Sequence, residues 1–567
     1  MTAVLDRLDG TIAGLLRYLS ASHLRALLAI LVLASLVTLP GLNTLPVTDR
    51  DEARYVQASK QMMETGDYID IRNLDAPRWK KPVGIYWLQV ASAKVLGEGT
   101  DSAIWAYRVP SALGIIIAAL LTYWALFPLI GAPSALIGGL VVASTATTAV
   151  EAHIAKTDAV LLAATVLVFG ALVRINQNRD APFNRAHVLM WLGLGFGFLI
   201  KGPIILIPFI GALIWISIAE RSLSLPKAIS PLKGLLLFAL IAAPWYIAIA
   251  LKTDGAFFAE SLGKDLLGKV GQVSEKHGGP FGYYLMTMWL TFWPWAPLAL
   301  LAVPIAWNRR TSPEMRLLAG WIIPCWAVFA LSSTKLPHYV LPALPALAAL
   351  IGLGISEVST KYVRILGAFL FVIGSVAAGV FAFGPLPVFQ DELPLVLIAS
   401  GLITLTLVIL ATTALGLGRL YGFTTLGVAA LLIMFPTLTL ITAPRTNALF
   451  ISPRLVAAHN AYQSCADRPI RSVGYQEMSL AFLGGTDTQF ISLEEAAKRL
   501  DDPEGGWRIF IRLDGTGEVL PRLSETSGRL IDTLAVIEGT NYNSGKEVTI
   551  VLVGALGDPL LLSCRPN

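Results

Sequence analysis

The sequence predicts a polytopic α-helical membrane protein of about thirteen transmembrane helices with a small C-terminal α/β domain. Three observations carry that class. Mean hydropathy is +0.66, with 55% hydrophobic and only 14% charged side chains over 567 residues. Apolar runs recur near the ~20 residues that cross a hydrocarbon core. Past residue 443 these runs stop and a mixed, soluble pattern begins. An ordinary soluble enzyme is excluded, and the formal charge of +5 needs no nucleic-acid partner. Basic loops facing anionic lipid account for it.

In chain order the candidate spans are 24–42, 83–97, 108–129, 133–149, 157–174, 187–200, 203–219, 231–251, 282–306, 315–332, 339–356, 363–384, 393–416 and 420–442. The first is long for a signal-peptide core and no A-x-A-like site follows it, so it reads as a retained anchor. Basic loops mark the cytoplasm: Arg174 to Arg185, Arg221 to Lys233, Arg309 to Arg316, Lys361 to Arg364, and more weakly Arg419. Arg7, Arg17 and Arg25 place the N-terminus on the same side, whereas 252–280 and 385–392 fall outside. An even number of crossings separates two cytoplasmic points, yet five candidates lie between residue 24 and Arg174. One segment in 83–149 therefore does not fully span, or two share a crossing. The odd count that remains puts the C-terminus outside.

The chain divides into a transmembrane part, 1–444, with a first external loop at 43–82, and a periplasmic domain, 445–567. In the latter, "SLEEAAKRL" from Ser492 opens like a capping box; "WRIFIRL" from Trp507, "LIDTLAVIEG" from Leu530 and "KEVTIVLVG" from Lys546 read as strands. Cys325 sits in an apolar run, while Cys465 and Cys564 bracket the outer domain, where a disulfide and two free thiols are both open.

The charges that interrupt the apolar pattern gather on one side. "TDRDEARY" at 48–55 crowds ionisable groups just behind the first span. Taken alone it suits helix capping, by Thr48 with Asp51 or Asp49 with Glu52. The stretch 51–64 has Tyr55, Ala58, Ser59 and Met62 at helical spacing, an amphipathic helix lying on the membrane surface, with Gly66 at its C-terminus. Asp158, Lys201, His277, Lys335 and His338 fall at external boundaries too. Any one of the lysines could simply snorkel. Converging on one face, they read as a shared polar cavity. Arg and Lys clamp phosphates, and a carboxylate can deprotonate or orient a hydroxyl, so the chemistry fits group transfer from a lipid-linked phosphate.

"DEARYVQASKQMMETGDYI", then "RWKKPVGIYWLQ", "KTDAVL", "FLIKGPIILIP", "KHGGPFGYY" and "STKLPHYVLPALP" occur in that order. Over roughly residues 25–360 this series resembles the lipid A aminoarabinose transferases and the wider protein O-mannosyltransferase-like group of GT-C glycosyltransferases. The resemblance implies inverting transfer from a polyprenyl-phosphate (undecaprenyl phosphate) sugar to a lipid A, lipopolysaccharide or other envelope acceptor, at the periplasmic face of the bacterial inner membrane. It implies Asp51 at the reaction centre, with Asp158 the second acidic position. Arg54, Lys81 and Lys201 would hold the donor phosphate, with Lys335 and Tyr339 closing the cavity. Glu52, His277 and His338 are further candidates, His277 as a phosphate partner or a loop anchor.

One departure concerns metal. In the aminoarabinose transferases a glutamate precedes the lysine of the K-P motif and can share zinc with the histidine matching His277; here Lys80 stands there. A cation in place of a carboxylate argues against zinc, so no cofactor is expected, and the sugar stays open. A flippase of lipid-linked intermediates is the alternative, but it predicts internal repeats, and the acidic motif occurs once.

Overall fold

The computed structural model describes residues 1–261, 263, 278–355, 360–385, 394–462, 467–515, 517–541 and 545–563. Cys465, Cys564 and His277 lie outside these residues, and so does the disulfide question. Cys325 is a buried free thiol.

Helix α1 (Thr2–Ser20) turns by 119° into α2 (His23–Thr38). Charge explains the bend. α1 carries Asp6 and Asp9, which meet the far end of the chain: Arg419 pairs with Asp6, and the Gly422 amide donates to Asp9 at 2.9 Å. α2 carries none past Arg25 and is free to enter the apolar layer.

After α3 (Asp51–Thr65), the 83–97 run forms α4 (Gly84–Leu96), only 13 residues and largely buried. At 1.5 Å per residue it reaches about 20 Å, short of the ~30 Å hydrocarbon core. By length alone, α4 falls short of a span. The next two runs form α5 (Ile104–Ala143), which folds back at Gly131, where φ is 78° and a side chain would be strained. Gly138 and Gly139 on the returning arm lie against Leu126 and Ala119 on the outgoing one.

Short α6 (Ala146–Ala152) leads to α7 (Asp158–Gln177), then α8 (Arg185–Lys201) and α9 (Leu206–Glu220). The last two form a hairpin: Trp191 meets Phe209 with ring centroids 6.4 Å apart, and Arg179 grips Glu220 at 2.6 Å. Among the described residues nine helices are long and apolar enough to cross a membrane, or ten with the bent α1–α2 pair, when each folded-back stretch is taken as one.

The outer domain holds a five-stranded sheet. Strands β3 (Arg471–Val473), β4 (Gln489–Phe490), β5 (Ile509–Arg512), β6 (Ile531–Asn541) and β7 (Lys546–Ala555) are ordered β4-β3-β5-β7-β6, numbering after a small hairpin of β1 (Arg72–Asn73) and β2 (Ala76–Pro77). β5 runs parallel to β3 and antiparallel to β7. Its alternation fills two cores at once, Phe510 on one face and Ile509 with Ile511 on the other. The Leu493–Leu500 helix begins at Ser492, whose hydroxyl accepts from the Glu495 amide.

Two expectations about α3 are corrected. No side chain caps its first turn; instead Glu52 reaches back to the Thr48 amide and hydroxyl, each at 2.9 Å. Nor does its 3–4-spaced face lie on lipid. Tyr55, Val56, Ala58, Ser59 and Met62 are buried by protein. α4 covers one side, where Ser59 donates to Gln89 at 2.7 Å, and the outer-domain helix Met478–Gly484 covers the other. The helix does end at Gly66 in the left-handed conformation, φ 71°.

Glu52 and Arg108 are both fully buried, and the guanidinium grips the carboxylate through two 2.8 Å bonds. Arg108 also donates to the Leu42, Leu45 and Pro46 carbonyls, and Glu52 accepts from the Ala155 amide. Removing one partner strands a buried charge, which costs about 3–5 kcal/mol. Arg108→Ala is therefore expected to lower the unfolding midpoint of purified protein sharply. Arg108→Lys, which cannot make the two-pronged contact, recovers only part of the loss. A wild-type midpoint in Arg108→Ala would remove the pair from its structural role.

Candidate active site

The 43–82 loop, the α6–α7 link, the α8–α9 turn and the Pro337–Gly354 segment line a cavity of about 1470 Å³. Its lining includes an apolar set, Phe198, Ile204, Ile207, Phe238, Tyr246 and Phe257. It also includes Arg54, Arg78, Lys80, Lys81, Lys156 and Lys201, together with Asp51 and Asp158. A cavity that is both greasy and cationic suits an amphiphile with an anionic head.

Asp51 is the first residue of α3 and is accessible from the cavity although protein surrounds it. Burial opposes its ionisation, but Arg78, Lys156 and Arg54 together hold the carboxyl below the usual range. It stays a carboxylate at neutral pH. Arg50, just before it, has φ 70°, a conformation that costs a non-glycine residue about 1–3 kcal/mol and persists only where neighbours enforce it.

Glu52, one residue on, points a different way and is spent on Arg108. Burial works against its charge, and Arg108 more than offsets this. Its part is structural although it edges the cavity. Asp49 faces the outer domain; burial pushes it up to about 6 against the hydrogen bond it accepts from Ser479.

Asp158 opens α7 and is tied to Lys201 at 2.6 Å, with Lys156 at 3.9 Å and His338 at 3.8 Å. Lys156 is held by Glu151 at 3.0 Å, and His338 bridges back to Glu151 at 3.7 Å. Lys201 lies 5.8 Å from the centre of the Tyr339 ring, on the same wall.

The structure thus brings together Asp51, Glu52, Arg54, Lys81, Asp158, Lys201, His338 and Tyr339. Lys335 is corrected: it is buried off the cavity wall, because its ammonium donates to the Ser332 carbonyl at 2.6 Å across a tight turn. His277 is outside the described residues. Sequence reasoning missed Arg78, Lys156 and Glu151. Arg78 is 7% exposed and stacks 4.7 Å over the Tyr55 ring. The signal for Lys156 was available, two residues before Asp158 in "KTDAVL".

Residues 80–247 match the dolichyl-phosphate-mannose-protein mannosyltransferase family. An undecaprenyl phosphate-alpha-4-amino-4-deoxy-L-arabinose arabinosyl transferase of Pseudomonas paraeruginosa is 27% identical over 88% of this chain and 94% of its own length. One of the same name from Pectobacterium carotovorum is 28% identical, over 62% of this chain and 63% of that relative's length. The crystal structure of ArnT from Cupriavidus metallidurans bound to undecaprenyl phosphate has the same fold, with a TM-score of 0.72 over 92% of this chain and 97% of that one, at 18% identity. The chain is thus similar in sequence, over most of its length, to aminoarabinose transferases, matches the mannosyltransferase family over residues 80–247, and shares the fold of ArnT.

Proposed function

We propose that this protein transfers a sugar, with inversion, from a polyprenyl-phosphate donor to an envelope acceptor such as lipid A at the outer face of the inner membrane. The observation that carries the reading is one cavity lined by both apolar side chains and fixed cations, with Asp51 a cavity-facing carboxylate that makes no direct ion pair among the described residues. As the glycosidic C–O bond breaks, negative charge grows on the departing polyprenyl phosphate. Arg54, Lys81 and Lys201 meet it without reorganising. Arg54 forms no side-chain hydrogen bond within the described residues and is available to an anion. Asp158 holds Lys201 and Lys156 in place, and Tyr339 closes the wall beside them. Asp51 receives or orients the acceptor opposite the leaving phosphate. A flippase needs no carboxylate so placed.

Asp51→Asn keeps size and hydrogen bonding but removes the charge. With α3 uncapped by a side chain, the change leaves the fold intact. Loss of base or orienting help is typically ~10²–10⁴ in rate. With radiolabelled polyprenyl-phosphate sugar, Asp51→Asn is expected to transfer at least a hundredfold more slowly, and Lys81→Ala to bind donor more weakly. Near-normal transfer by Asp51→Asn would return "TDRDEARY" to a purely structural role.

Counting both hairpins as paired crossings, with α2 and the interrupted 283–308 stretch, gives thirteen. The N-terminus is then cytoplasmic and the outer domain periplasmic. The Asp6–Arg419 and Arg179–Glu220 contacts support this by gathering the basic loops at one end. A phosphatase fused after residue 445 is expected to be active and one near Arg179 inactive; the reverse would invert the whole site.

No metal has a place in this reading. Lys80 lines the cavity where the family glutamate would ligate zinc, and an ammonium offers no lone pair to a metal ion. Transfer is expected to survive chelation, and stoichiometric zinc that disappears in His277→Ala would defeat the proposal.

A further inference from the structure

Residues 49 and 50, immediately before Asp51, are gripped from outside the transmembrane part. Ser479 donates to Asp49, and Glu477 pairs with Arg50 at 3.4 Å. Both partners belong to the outer domain, more than 420 residues along the chain. Ser479 is fully buried and is itself aligned by a relay: its hydroxyl lies 2.6 Å from that of Ser452, which lies 2.8 Å from the Tyr475 hydroxyl. Buried hydroxyls of this kind cost free energy unless every one is satisfied. The relay runs from the core of the outer domain and ends on Asp49.

Arg50 takes its left-handed conformation at the point where this grip ends and α3 begins. The first helical bonds of α3 depend on that bend: Ala53 donates to the Thr48 carbonyl at 3.2 Å and Arg54 to that of Arg50 at 3.1 Å. Farther along α3 the same domain makes ordinary docking contacts, Gln57 to Thr486 at 2.8 Å and Lys60 to the Phe482 carbonyl at 3.3 Å. Lys546, from the first residue of β7, also reaches the cavity wall.

We propose that Glu477 and Ser479 are positioning residues for transfer: by fixing Asp49 and Arg50 they set the direction in which the α3 N-terminus presents Asp51, so the outer domain is a working part of the active site. The inference rests on the assignment of Asp51 under Proposed function, but it has a readout of its own. The test uses the full chain in micelles, with Ser479→Ala, Glu477→Gln and Ser479→Thr, and with Thr486→Val as a docking control on the same interface. Hydrogen exchange at the Ala53 and Arg54 amides is expected to accelerate at least tenfold in Ser479→Ala while the 57–64 segment is unchanged. kcat is expected to fall at least tenfold with the donor KM within twofold, Ser479→Thr restoring most of it and Thr486→Val leaving both near wild type. Unchanged exchange at residues 53 and 54 overturns the proposal. An equal loss of kcat in Thr486→Val overturns it too, because general docking would then explain the effect. Wild-type protein without transfer activity would sink the proposed function alone, and the exchange measurement would still decide the grip.

Discussion

The buried Glu52–Arg108 pair is the constraint on which the site depends. A carboxylate and a guanidinium taken wholly out of water are costly unless every lone pair and proton finds a partner. Here they do. Both Glu52 oxygens are shared among Arg108, Thr48 and the Ala155 amide. The remaining Arg108 protons are taken by the 42–46 carbonyls. One ion pair thereby fastens three separate stretches: the turn after α2, the start of α3 and the α6–α7 link. Successive helical residues differ by about 100° in direction, so fixing Glu52 inward leaves Asp51 aimed elsewhere, into the cavity. The carboxylate that holds the architecture and the one exposed to the cavity can be neighbours in sequence because their side chains leave the helix about 100° apart.

The remaining charges divide by the same logic. Asp158 is spent on Lys201 and Lys156, and Glu151 on Lys156. These contacts fix the cations at a wall that would otherwise repel itself. Among the described residues Arg54, Arg78 and Lys80 add positive charge that no direct carboxylate pair balances. In the proposed function an anionic headgroup would supply the balancing charge. Stabilisation of this kind matters most where water is thin and the dipoles are already in place.

Much of this was legible in the sequence because membranes enforce simple rules. Apolar runs gave the helical class, basic loops gave a consistent set of ends, and ionisable groups that broke the pattern marked the cavity. Strands β5, β6 and β7 were visible as apolar alternation. What stayed hidden depends on contacts between distant residues. The burial of α4 was not legible locally, since its apolar side chains would look alike packed in protein or in lipid. The α3 face looked like a lipid-binding surface because burial by the Met478–Gly484 helix and burial by a bilayer select the same side chains. β3 and β4 are too short for alternation to register. Arg78 follows the small β1–β2 hairpin and becomes a cavity residue only when α3 folds over it. Lys335 misled for the converse reason: its position at a membrane boundary was right, but a carbonyl three residues back captured it.

The state of Asp51 bears on what it does. Proton transfer is most effective when the base has a pKa near the working pH, and Asp51 is held below the ordinary carboxylate range by three cations. Such a group is ionised whenever the enzyme works but is a weak store for a proton. In the proposed transfer its strongest contribution would therefore be as a fixed negative charge and hydrogen-bond acceptor that orients the incoming nucleophile along the line of displacement. A hydroxyl nucleophile would have to lose its proton late, as the bond to the sugar forms and its acidity rises. An already anionic nucleophile would need only alignment, and its approach to Asp51 would be tolerated because Arg54, Arg78 and Lys156 surround the same carboxylate. The cations that lower the basicity of Asp51 are thus the ones that let a second anion stand beside it. In the proposed transfer, charge alignment would come first and proton transfer second.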